Sequence, residues 1–326
     1  MSRNFIPQNA FWKAGTLIVI ILLGLFFSAT GASASANTVN PLSTDWTLLV
    51  ETAGTYSYSF VEGPATPPAG LGSLRMTIDS TAGISYAAQK YQGVRLADLE
   101  TLTYATYVSS GSGFTAISFQ INYDPDLSDT SSPKPWYGRL VYEPYRNGTV
   151  NTGAWQTWDM LNSGNAVWWA TPNANSSVDD TCSQSSPCAL STILTSWPNI
   201  GIRNDSASAI LFKAGGGWSG GFDGNVDNLV VKTSGQEVDT YDFEPYLPVH
   251  NITQNTHHAT IQLGVNAANP GDVLEIDPGT YVENVVVDKS LTLRGAGQGD
   301  NPSVDTILDG STLTGMGIRL NNNVTN

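Results

Sequence analysis

Six tryptophans, Trp136, Trp155, Trp158, Trp168, Trp169 and Trp218, crowd the middle of the chain among asparagines and aspartates. Flat indole faces stack on sugar rings, and Asn and Asp side chains hydrogen-bond sugar hydroxyls. The chemistry that these residue types suit is carbohydrate binding, with Trp136, Trp168, Trp169 and Trp218 as the candidate platform. Trp168 and Trp169 are consecutive in "AVWWA", so on a strand they face opposite sides and at most one belongs to a core. Trp218 sits among glycines, in an expected loop. The competing reading is that these rings are core aromatics, because Trp is highly buried on average. No catalytic residue is expected: G-x-S-x-G, H-E-x-x-H and a Cys/His pair are all absent. His257 and His258 lack a carboxylate or Cys at ligand spacing, and with His250 they read as exposed linker histidines. Cys182 and Cys188 flank "SQSSP" far from any histidine, in a spacing that is not a zinc spacing. In an oxidising compartment they are expected to form a local disulfide that stiffens its own loop.

The elements that must position these residues are strands. The 326 residues allow about two domains. Apolar residues make up 40%, charged residues only 13%, and 32 glycines punctuate the chain, which points to an all-β fold with many turns. The net charge of −14, with no basic cluster, excludes nucleic acid and anionic lipid as partners. Solubility outside the cell accounts for the acidity, and calcium binding is the sharper alternative. Arg3 and Lys13, the apolar run Leu17–Phe27 and "ASASA" at 32–36 form an export signal over residues 1–36, with cleavage expected after Ala36. An uncleaved anchor is the alternative, although the run is short for a span. No second apolar run follows, so the expected product is secreted, extracellular or at the cell surface, and periplasmic where the cell has an outer membrane.

Residues 37–243 contain alternating segments. In "TAISFQINYD" (115–124), Ile117, Phe119, Ile121 and Tyr123 share one face, and Ser118, Gln120 and Asn122 the other. Similar patterns occur at 55–60, 74–79, 101–108, 138–145, 154–160, 208–215 and 226–233, with one helical turn expected at 95–100. Gly/Pro-rich turns separate them, so an antiparallel β-sandwich of jelly-roll type is expected. Residues 244–256, with Pro245 and Pro248, read as a stiff linker. Residues 257–326 change texture: a short amphipathic helix, the turn "NPGD", then apolar strands of three or four residues, a pattern of stacked coils.

The stretch "TIQLGVNAANPGDVLEIDPGTYVENVVVDKSLTLRGAG" followed by "TILDGS" resembles the N-terminal cap and first coils of right-handed parallel β-helix proteins, the pectin-lyase-like superfamily. The resemblance covers about a fifth of the chain. It implies a helix covering the open end of an apolar coil, with Asp272, Glu275, Asp277 and Glu283 as turn and surface positions. Gly264 departs from the pattern and predicts a frayed helix, because Gly costs roughly 1 kcal/mol against Ala there. Only about two or three coils fit before Asn326, so the β-helix is expected to be incomplete. The segment "GGGWSGGFDGNVDNLVV" resembles the closing strand of secreted jelly-roll and lectin-like modules, which implies a structural calcium ion at Asp227 with Asp223 nearby. The leading functional expectation is an exported, non-catalytic surface protein that binds polysaccharide. The alternatives are a polysaccharide lyase, esterase or hydrolase with catalytic coils beyond Asn326, and a structural spacer or adhesin stalk.

Overall fold

A computed structural model of the chain describes residues 35–310 and 317–321. The expected export signal lies outside these residues except for its last two, and the expected cleavage point after Ala36 falls within β1 (Ser35–Val39). β1 runs parallel to β15 (Val238–Phe243), followed in one sheet by β14 (Phe222–Thr233), β4 (Gly72–Ile78) and the edge strand β3 (Tyr56–Glu62). In the same sheet β6 (Leu99–Ser110) pairs with β14 and with β9 (Trp155–Asp159). The second sheet runs β11 (Cys188–Ala189), β10 (Val167–Ala170), β8 (Arg139–Tyr142), β7 (Ser118–Asp124), β13 (Ile210–Gly215), β5 (Gly83–Ala88) and β2 (Trp46–Thr52), with β12 (Gly201–Ile202) beside β7. Apart from β1 and β15, every strand pairing in the two sheets is antiparallel, as expected of a β-sandwich.

Alternation explains the packing. Phe119, Ile121 and Tyr123 of β7 and Leu74 and Met76 of β4 are almost fully buried between the sheets. Trp46 stacks on Tyr86 and Phe212 at 5.6 and 5.9 Å and meets Phe243 edge-on at 5.3 Å. Buried tyrosine hydroxyls keep partners, as where Tyr104 donates to the Ile117 carbonyl at 2.8 Å. The expected turn at 95–100 is a 3₁₀ helix over Leu96–Asp98. Strand β5 gave no sequence signal because the residues alternating with Ile84, Tyr86 and Ala88 are the small Gly83, Ser85 and Ala87, so polarity barely alternates along it. Cys182 and Cys188 are joined, with their Cα atoms 5.2 Å apart, which ties β11 back beside β10.

The segment read as a linker is structured instead. β16 (Val249–Asn251) pairs antiparallel with β17 (Thr256–His258) and with β18 (Val273–Ile276). The histidines expected to be exposed are half-buried in this sheet; His250 meets His257 edge-on at 4.8 Å and lies 3.1 Å from Asp277. Beyond it the chain stacks on itself. β18 pairs in parallel with β21 (Thr292–Gly295), β19 (Gly279–Tyr281) with β22 (Thr306–Leu308), and β20 (Val285–Val287) with β23 (Ile318–Leu320).

The helix Ile261–Ala267 covers this stack. Thr260 caps it by accepting from the Leu263 amide at 3.1 Å, and the Glu283 carboxylate accepts from the Ile261 and Gln262 amides. Fraying at Gly264 is not observed. Gly264 is buried, and a Cβ there would lie 2.7 Å from Val249 Cγ1, so glycine permits the helix to approach β16 closely. Of the other acids, Asp272 is also not a surface residue: it is 4% exposed and accepts from Asn251 Nδ2 and the Asn269 amide.

Candidate functional site

The outer face of the second sheet forms the floor of a cleft of about 720 Å³. Its polar side chains come from strand positions that alternate with core residues. Ser118 and Gln120 project from β7, Arg139 and Val141 from β8, and Lys213 from β13. Ser118, Gln120 and Asn122 are each under 10% exposed, so the polar face of β7 is a recessed floor rather than open surface.

The charges on this floor are linked. Arg139 Nη1 donates to Glu51 Oε1 at 2.5 Å, Lys213 donates to Glu51 Oε2, and Ser85 donates to Oε1 at 2.7 Å. Arg139 Nε also donates to Asn122 Oδ1 at 3.1 Å. Burial pushes the Glu51 carboxyl up, but the Lys213 hydrogen bond and the Arg139 and Lys213 charges outweigh it and hold it below its ordinary value. Glu51 lies on β2 and Arg139 on β8, four strand spacings apart in the sheet order. A flat sheet would separate those strands by roughly 19 Å, beyond the reach of a Glu and an Arg together. Their contact therefore requires the sheet to curl around the cleft.

Aromatic rings form the rim. Trp169, on β10, is recessed below the rim at 9% exposed, with its Nε1 fixed by Glu143 Oε2 at 2.9 Å, and Arg146 holds the same oxygen at 2.6 Å. Phe114 and Tyr145 meet edge-on at 6.3 Å, and both are exposed. Trp136 sits on a loop held from beneath by Arg203, a buried guanidinium whose Nη1 donates to the Pro135 carbonyl at 2.7 Å and which lies 5.8 Å from the indole. Trp218 packs edge-on against Phe222 at 5.0 Å. The loop that carries it starts at Gly215, with φ +80°, where a Cβ would lie 2.2 Å from the Ala82 carbonyl oxygen. Glycine alone fits there.

Three of the four expected platform residues, Trp136, Trp169 and Trp218, thus line the cleft. Trp168 does not. It is 2% exposed between the sheets, and its Nε1 donates to the Met160 carbonyl at 2.9 Å. No sugar can reach it. Sequence reasoning missed Glu51, Arg139, Glu143, Lys213, Phe114 and Tyr145. The available signal was polar residues at alternate positions in "GRLVYEPY" and "ILFKAG".

The two carboxylates expected around calcium have separate partners. Asp223 forms a two-pronged pair with Arg75 at 2.8 and 2.6 Å. Asp227 is fully buried and accepts from the Ala69 and Phe243 amides at 3.0 and 3.1 Å. These two amides take one lone-pair site on each Asp227 oxygen. Among the described residues no group of three or more His, Cys, Asp or Glu side chains is arranged to hold a metal ion. Asp223 and Asp227 are thus held by separate partners and do not form one ligand pair.

No family model and no curated protein matches the chain. Among solved structures it is similar to the family 11 carbohydrate-binding module of cellulosomal cellulase Lic26A-Cel5E of Clostridium thermocellum, at 13% identity and a TM-score of 0.36, over 59% of this chain and 89% of that one. It is also similar to the family 11 module from Clostridium thermocellum in complex with a β-1,3-1,4-mixed-linked tetrasaccharide, at 12% and 0.34, over 63% and 92%. A β-1,2-glucanase from Parabacteroides distasonis follows at 11% and 0.28, over 62% of this chain and 23% of the glucanase. At these scores none of the three carries weight for the site, which stands on its own geometry.

Proposed function

We propose that the sandwich is a carbohydrate-binding module of an exported protein, and that its cleft takes a segment of polysaccharide. The observation that carries this reading is the cleft itself: a recessed floor of hydrogen-bonding side chains and Trp169 beneath a rim of Trp136, Trp218, Phe114 and Tyr145. Aromatic faces take the apolar faces of sugar rings, and the floor takes their hydroxyls. The role is binding rather than hydrolysis. Glycoside hydrolysis by paired carboxyls needs one of them protonated, and the cations beside Glu51 keep its carboxyl ionised. Glu143 is occupied by Arg146 and Trp169.

Residues 257–310 and 317–321 fit the lid and coils of a right-handed parallel β-helix, a reading supported by the three parallel pairings β18–β21, β19–β22 and β20–β23. The disulfide fits an oxidising compartment. No helix among the described residues is long and apolar enough to cross a membrane.

Affinity electrophoresis of the full chain through gels carrying soluble polysaccharides tests the module. At least one polymer should retard it, and Trp169→Ala and Trp136→Ala should each weaken that retardation about tenfold or more, at 1–3 kcal/mol per aromatic stack as measured for nucleobases. Free migration through every polymer would remove the reading.

A further inference from the structure

The cleft lining carries two acids, Glu51 and Glu143, and two bases, Arg139 and Lys213, and Arg146 behind Glu143 leaves one positive charge over, in a chain whose net charge is −14. Building on the carbohydrate-binding reading, we infer that the ligand is an acidic polysaccharide whose sugar carboxylates are held by Arg139 and Lys213.

Glu51 is a single carboxylate shared by two cations, one oxygen to each. The other acid lining the cleft, Glu143, is neutralised by Arg146 at 2.6 Å. One positive charge on the floor is therefore left over. Donors are left over as well. A guanidinium has five N–H groups and an ammonium three. Arg139 uses Nε on Asn122 and Nη1 on Glu51 and Gln120, and among the described residues its Nη2 has no acceptor. Lys213 donates to one side chain, that of Glu51.

Both cations are recessed, with side chains 19% and 17% exposed, so water neutralises them less than it does an open lysine. Charge-assisted hydrogen bonds are roughly twice as strong as neutral ones, so a carboxylate gains more here than a hydroxyl does. Glu51 also shows that one carboxylate can bridge Arg139 and Lys213. A sugar carboxylate would meet the same two groups from the cleft side. The acidic remainder of the chain opposes a polyanion only weakly, because salt screens separations beyond about 8 Å at physiological ionic strength.

The test is affinity electrophoresis of the full chain in polygalacturonate, alginate, neutral mixed-linkage β-glucan and dextran sulfate. At least one of the two carboxylated polymers should retard the chain more than the neutral glucan does. Lys213→Met should weaken that binding about tenfold, and Lys213→Arg should retain it. Equal or stronger retardation by the neutral glucan would overturn the inference. So would retention by dextran sulfate alone, or Lys213→Met binding the carboxylated polymer as wild type does. Each of those outcomes leaves a glycan-binding cleft in place, whereas no retardation in any of the four gels removes the cleft reading itself. If Lys213→Met does not fold, the wild-type preference among the four polymers decides the matter.

Discussion

At the scale of single residues, Trp168 and Trp169 show how one step along a strand separates structure from function. The period of two puts them on opposite faces, and that much was legible. Which face is which was not, because both neighbours, Val167 and Ala170, are apolar. Pairing decides it: Trp168 lies opposite Tyr142 of β8, with ring centres 5.4 Å apart in the core, which leaves Trp169 beside Val141 over the cleft. Trp168→Ala should therefore lower stability by about 3–5 kcal/mol, the usual range for removing a buried Trp, read as a drop in the urea midpoint. Trp169, 9% exposed but opening onto the cleft, should cost less stability than Trp168 when changed to Ala and should lose polysaccharide binding. Comparable loss of stability in both variants would mean that Trp169 is a core residue too. The triad of Glu51, Arg139 and Lys213 was not legible for a different reason. Its members sit far apart in the chain, and only the sheet order and its curl bring them together.

At the scale of elements, strands with polar residues on one face announced themselves by alternation, as in β7, whereas β5, with small Gly83, Ser85 and Ala87 on its outer face, did not. Closing strand β15 carries a consequence of its own. Asp242 and Glu244, at its end, stand beside Asp227 of β14. Glu244 accepts from the Leu71 and Gly72 amides, and Asp227 from the Ala69 amide, so these acids fasten the 69–72 turn to the sheet. Burial, followed by repulsion from Glu244 and Asp227 and a hydrogen bond with Glu244, pushes the Asp242 carboxyl up to about 7. Burial pushes Asp227 up to about 6 against its amide donors. An unfolded Asp titrates near 3.9. Between these values the folded chain binds more protons than the unfolded one, so this contribution to stability is complete below about pH 4 and is lost as pH rises through 6 to 7. Asp242→Asn removes the charge that must form. It should raise Tm relative to wild type at pH 8, with the gain shrinking towards pH 5 in parallel thermal melts. A gain independent of pH would show that ionisation of Asp242 is not its source.

At the scale of the whole molecule, the sandwich and the stacked strands have separate interiors. Leu74, Tyr104, Phe119, Phe212 and Phe243 belong to one large cluster, and Val249, Ile261, Val265, Leu274 and Val285 to a much smaller one. The chain passes between them through Pro245–Pro248, where Glu244 holds the turn at Leu71 and Tyr246 lies near Tyr281. Cooperativity follows the buried area that residues share, and regions with small cores open at lower free energy than the global unfolding. The stacked strands are only three or four residues long, and their shared core is small. The two regions should therefore open separately in the intact chain. In hydrogen exchange followed by mass spectrometry, peptides spanning β18–β22 should lose protection well before those spanning β7 and β13, and addition of a bound polysaccharide should protect the second set and leave the first unchanged. Loss of protection in both sets at one common rate, with the same response to ligand, would instead mean that the junction at Glu244 and Tyr246 couples them into a single cooperative unit.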